Sequence, residues 1–132
     1  GFPWPLGAFE NQRSFCSIEN LCFVIRELLT QERIPSGVYN VADDETLSTN
    51  ELIQLIAVSQ NKKARILPIS KGIITSIAKA GGFLRLPLNS ERLQKLTESY
   101  VVGNAKIKMA IGKPLPVHAE EGLLKTFGSF KR

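Results

Sequence analysis

Apolar positions along the chain alternate between helical spacing and short strand-like runs. Ile18, Leu21, Cys22, Ile25, Leu28 and Leu29 fall on one face of a helix predicted from Ile18 to about Thr30. Phe23 and Val24 widen that stripe, so the helix is expected to be buried on more than one side. Arg13 to Ser17 alternates as a short strand that runs straight into it, and Ser17 is a natural N-cap. Ile34-Pro35-Ser36-Gly37 breaks the chain, and Val38 to Ala42 reads as a second strand. Ser48-Thr49-Asn50-Glu51 has capping-box spacing, which opens a helix to about Asn61.

Arg65 to Ile69 reads as a strand ended by its proline, and Ile73, Ile74, Ile77 and Ala78 give a third helix, stopped by Gly81-Gly82 as a C-cap. After a loop through Pro87, Glu91 to Leu96 forms a short helix and Tyr100-Val101-Val102 a last strand. Asn104 caps a helix ending at Gly112, and His118 precedes a final helix to roughly Phe130 with Glu120 and Glu121 in its first turn. This order predicts an α/β domain with a small mixed sheet and several packed helices. Residues 1–12 mix Pro, Gly and aromatics without period, an extended loop too apolar to lie free, which should cover a core or a neighbouring domain.

Composition narrows the class. A chain of 132 residues with 43% hydrophobic content can bury a core as one domain, folding as a unit or nearly so. No run is long enough for a membrane span and no basic segment precedes an apolar one at the start, which reads as a cytoplasmic protein with no membrane partner. Cys16 and Cys22 are expected as buried reduced thiols, and a single His excludes a zinc centre. Charge is uneven: residues 1–60 hold eight acids and three bases, residues 61–132 fourteen bases and four acids. The basic half calls for an anionic partner. Nucleic acid is disfavoured, because only Phe83 and Tyr100 supply stacking rings between Lys62 and Lys113.

Catalytic machinery is absent in every familiar form: no GxGxxG or Walker loop, no GxSxG elbow, no HExxH and no Tyr-x-x-x-Lys. His118 reads as a capping or exposed residue, and Asp43-Asp44-Glu45 as a solvated bend before a helix. Arg13 is different, since a guanidinium at a strand mouth suits bidentate contact with phosphate, although a salt bridge to Glu10 or Glu19 would occupy it equally well. Arg92 and Lys95, one turn apart, form a second cationic point or a solvated pair.

Four ordered segments carry a resemblance. Pro5-Leu6-Gly7 with Asn11-Gln12-Arg13-Ser14-Phe15-Cys16-Ser17-Ile18-Glu19-Asn20-Leu21 resembles the loop and "R-S-x-V-x-V-x-N-L" strand-to-helix unit of extended short-chain dehydrogenase/reductases, the NAD-dependent epimerase/dehydratase family acting on nucleotide sugars. Gly37 to Asp43 with Leu47 to Leu52 is similar to its "Y-N-V-x-D…S-x-x-E-L" unit. Val101 to Lys108 resembles "V-D-x-S-K-x-K", and Gly112 to Leu123 the closing "G-W-x-P-x-x-x-x-E-E-G-L" helix. Gly103 stands where the family commonly has Asp, Ala105 where it has Ser, and the Trp after Gly112 is missing.

The resemblance implies the C-terminal substrate-binding lobe of a nucleotide-sugar epimerase-like enzyme, residues 1–132 forming that one domain without the dinucleotide fold. It implies a nucleotide-sugar substrate, a UDP-hexose first, with Arg13 and then Arg92 as phosphate ligands and Leu6, Gly7 and Asn11 as contacts to nucleotide or sugar. NAD or NADP would be bound by the other domain of the parent and none by this lobe, which would be inactive alone; a homodimeric parent is compatible with the sequence and not fixed by it. The alternative is a stand-alone basic module for an anionic protein or nucleic acid, built on Lys62, Lys63, Arg65, Lys106 and Lys108.

Overall fold

A computed structural model describes residues 3–83 and 89–130; the expected loop through Pro87 lies largely outside the described residues. The fold is α/β, with six helices and a two-stranded antiparallel sheet among the described residues. The helices are α1 (Ile18–Thr30), α2 (Thr49–Ser59), α3 (Lys71–Phe83), α4 (Ser90–Thr97), α5 (Ala105–Ile111) and α6 (Ala119–Ser129); the strands are β1 (Arg13–Ser14) and β2 (Thr46–Leu47). No helix among the described residues is long and apolar enough to cross a membrane.

The chain divides into two compact units, each built from two separated stretches. The first comprises residues 1–12 and 48–99. Its core is Leu6, Ile74, Ala78 and Leu93, with Trp4, Phe9 and Ile69 packed around them. The N-terminal loop therefore covers the core of its own unit. Trp4 and Leu6 reach it by bridging to Ile66 and Pro68, so the segment expected as a strand at Arg65 to Ile69 makes isolated bridges only. Pro68 contributes no N–H, which keeps that pairing from extending into a ladder. Ser48 and Glu51 form the capping box of α2 as expected. That helix closes through Asn61, whose φ of 55° suits asparagine in the left-handed region.

Gly81-Gly82 does not stop α3, which runs through both to Phe83. Ile74, Ala78 and Gly81 are buried at i, i+4 and i+7, so Gly81 continues a helical face that already has a core to cover. Burial outweighs the roughly 1 kcal/mol that glycine costs a helix interior.

The second unit comprises residues 13–47 and 100–132, around a core of Val24, Ile107 and Ile111 with Phe23, Ile34, Tyr39, Val41 and Leu115. Its sheet is shorter than the sequence pattern implies. β1 pairs antiparallel with β2, Arg13 opposite Leu47 and Ser14 opposite Thr46, and Arg13 also bridges Tyr100. Val38 to Ala42 forms no strand; Val38 is exposed and Val41 joins the core cluster instead. Gly112 ends α5 as predicted, in the left-handed region at φ 72°.

Candidate functional site

The site candidates begin at β1. Ser14 is held on its far side from β2 by Tyr100 and Val102: its N–H donates to the Tyr100 carbonyl at 2.8 Å, and its Oγ accepts from the Val102 N–H at 2.9 Å. Arg13, half-buried in the same two-residue strand, therefore extends from a backbone fixed on both sides. Of the acids considered for a salt bridge, Glu19 is held by Lys125 at 2.8 Å.

Behind β1 the expected solvated bend is instead, at Asp43, part of a buried polar hub. Asp43 is 3% exposed and its carboxylate accepts from the Ser17 N–H at 3.0 Å, the Ser17 hydroxyl at 3.1 Å and the Asn20 amide at 2.7 Å. Asn20, fully buried, also donates to the Val117 carbonyl and accepts from the Val117 N–H. A buried carboxylate is tolerable because every contact is a donor. Gly122 of α6 lies directly against Ser17, and a Cβ there would overlap the Ser17 Cβ.

The next two acids are equally engaged. Asp44 accepts from Lys108 at 2.7 Å and from Asn104 at 2.8 Å, which hold its carboxyl below the usual range, the lysine bond most. Asn104 thus ties α5 to the acid loop and makes no capping bond of its own. Glu45 bonds His118 and accepts from the Ala119 N–H at 3.0 Å, supplying the cap of α6 that His118 was expected to provide. The Glu45 carboxylate raises the His118 pKa, first by hydrogen bond and then by charge. Nothing in local sequence reveals these partners, 60 to 74 residues away.

In the first unit, Asn11 is buried and its amide is fully used: Nδ2 donates to Thr49 Oγ1 at 2.8 Å and the Glu98 carbonyl at 3.2 Å, while Oδ1 accepts from the Thr49 N–H. The Leu6 side chain is in the core. Gly7 sits where a Cβ would lie 2.6 Å from Ile66 Cγ2, and its carbonyl accepts from Asn50. Arg92 is exposed in the first turn of α4, where its N–H donates to the Asn89 cap. Lys95, its expected companion, is paired with Glu91 at 2.7 Å. An open recess of about 490 Å³ is lined by Trp4, Ile53, Ile56, Gln60 and the cations Lys62, Lys63 and Arg65.

Both thiols are free and exposed, contrary to the expected burial, because Cys22 lies on the outward face of α1 and Cys16 in the turn before it. Desolvation of the sulfur, then the Asp43 carboxylate, push the Cys16 thiol up.

The chain is similar to a UDP-glucose 4-epimerase. The relative, from Vibrio cholerae, is 27% identical over 131 residues, a stretch that takes in 98% of this chain and 38% of the epimerase. This chain therefore spans under two-fifths of that enzyme's length. No protein-family model matches the chain, and no solved structure matches it.

Proposed function

We propose that this chain is the substrate-binding lobe of an NAD- or NADP-dependent enzyme that epimerises, dehydrates or reduces a nucleotide-linked sugar, with a UDP-hexose as its substrate class. The observation that carries the reading is the near-complete alignment of this chain with part of one enzyme, a UDP-glucose 4-epimerase. Arg13 is the diphosphate ligand. Its anchored strand presents a permanently charged, planar donor set from a fixed point, so little order is lost when a phosphate binds. Arg92 is the second cation. Leu6 and Gly7 serve through the backbone of the N-terminal loop, and Asn11 serves by locking that loop to α2 and to the end of α4.

The dinucleotide supplies hydride transfer at a sugar carbon when bound to the parent enzyme. In this reading the dinucleotide is held by another part of the parent, and Gly81 and Gly82 serve α3, lying inside that helix and not between a strand and a helix. This lobe's work is to hold and orient substrate in the cytoplasm, and by itself it turns nothing over. The basic-module reading loses support from two of its five cations: Lys106 donates to the Val38 carbonyl and Lys108 is paired with Asp44.

Isothermal titration of the chain with UDP tests the proposal. Arg13→Ala should weaken binding about ten-fold or more, and Arg13→Lys should recover only part of it, as expected for loss of a charge-assisted bidentate contact. Equal affinity of all three proteins for UDP would contradict it.

A further inference from the structure

The C-terminal end of α2 gathers positive charge around an apolar lining. Asn61, in the left-handed region, turns the chain there; its N–H donates to the Val58 carbonyl at 2.9 Å, and the Lys62 N–H donates to the Ala57 carbonyl at 2.8 Å. These two bonds fix the backbone that carries Lys62 and Lys63. Arg65 is fixed from another side, because its carbonyl accepts from the Trp4 N–H at 2.7 Å. Trp4, Ile53, Ile56 and Ala57 form the apolar lining of the 490 Å³ recess beside them, and no carboxylate among the described residues lines it.

The cations of this recess differ from those of the second unit. Lys106, Lys108, Lys113 and Lys125 are committed to carboxylates or a carbonyl. Lys62, Lys63 and Arg65 are exposed, and none has an ion pair or side-chain hydrogen bond among the described residues. Three like charges so close repel one another until an anion joins them. Trp4 adds a second deficit: its indole N–H is buried without an acceptor among the described residues, a state that native structures rarely leave standing. A ligand oxygen reaching that N–H would relieve it.

We infer that this recess binds a monomeric anionic amphiphile, an aliphatic body that ends in a phosphate or carboxylate. The head is held among Lys62, Lys63 and Arg65, and the body covers Ile53, Ile56 and Ala57. The volume is that of a small-molecule site. A nucleic acid strand would need a series of stacking rings, and the lining offers one. A sugar would set its hydroxyls against isoleucine and alanine, which cannot bond them. The inference goes beyond the nucleotide-sugar reading and is independent of it: Asn11 and Gly7 bond Thr49 and Asn50 at the start of α2, whereas the recess lies along its later turns.

Trp4 is the one tryptophan of the 132-residue chain, so its emission reports on the recess directly. Dodecyl phosphate, titrated below its micelle-forming concentration, should change that emission saturably with one site per chain, and added salt should weaken binding several-fold. Dodecanol and inorganic phosphate, which each lack one half of the ligand, should bind at least about ten-fold more weakly. Lys62→Gln, Lys63→Gln and Arg65→Gln together should weaken dodecyl phosphate at least about ten-fold; all three side chains are exposed, so the far-UV circular dichroism and the calorimetric affinity for UDP should be unchanged. An unchanged emission, or equal affinity of the wild type and the triple variant, would overturn the inference. Binding that begins only with micelles, or only with anionic vesicles, would overturn it in favour of surface adsorption. Displacement of dodecyl phosphate by UDP, one for one, would overturn it by giving the recess to the nucleotide.

Discussion

Asn20 is the residue whose role local sequence conceals most. On a helical projection it is one of five polar positions on α1, yet it joins the start of that helix, the acid loop and the approach to α6 through Asp43 and Val117. Asn20→Ala should cost about 2–4 kcal/mol in urea unfolding, because it strands buried donors and acceptors that water cannot reach. An effect below half a kcal/mol would mean that the hub is solvated after all. Gly122→Ala should cost about 1–3 kcal/mol in the same assay through its overlap with Ser17, where no flexible side-chain end can swing aside. Neither residue was legible as structural from local pattern, since long-range polar partnership leaves no periodic trace. Ser17 as N-cap and Arg13 as a strand-mouth cation were legible, because caps and strand starts are set by neighbours within a few residues.

At the scale of elements, the six helices among the described residues were readable from spacing and caps, and so was the strand starting at Arg13, whereas β2 and the single bridges were not. Helices carry their hydrogen bonds internally; two-residue strands and single bridges depend on what the rest of the chain brings alongside. The Ser48 capping box shows the local case, and Ser48→Ala should cost about 1 kcal/mol. The start of α6 shows the non-local case, and pH tests it. His118 has a raised folded-state pKa, so the stability its pairing with Glu45 contributes is fully present below the unfolded imidazole value. That contribution is lost as pH rises through the folded one. On the acid side Glu45, its pKa lowered chiefly by the bond to His118, keeps its contribution until pH falls through its own depressed value. Melting curves of the wild type and His118→Gln should therefore differ most at about pH 5.5–6, below the free imidazole value, and converge once pH has risen past the raised folded-state value. A difference that stays constant or grows toward alkaline pH would contradict the pairing.

At the scale of the molecule, the uneven charge pointed to an anionic ligand, but the fold distributes that charge in ways composition could not show. Lys106, Lys108, Lys113 and Lys125 are each committed to carboxylates or a carbonyl within the second unit. The outward stripe of α1, with Ile18, Leu21, Ile25, Leu28 and Leu29 exposed, was mistaken for a buried face because periodicity reports that a helix is amphipathic without saying which side meets its own core. The likeness that four ordered segments suggest is met by 27% identity to part of a UDP-glucose 4-epimerase over 98% of this chain. The central claim, a lobe that holds the diphosphate of a nucleotide sugar, is tested most directly by a ¹H–¹⁵N NMR titration of the 132-residue chain with UDP-glucose. The account predicts saturable shifts centred on Arg13 and on the backbone of Leu6 and Gly7, with glucose alone producing none. Shifts confined to Lys62, Lys63 and Arg65, reproduced by duplex DNA in a strongly salt-dependent way, would contradict it.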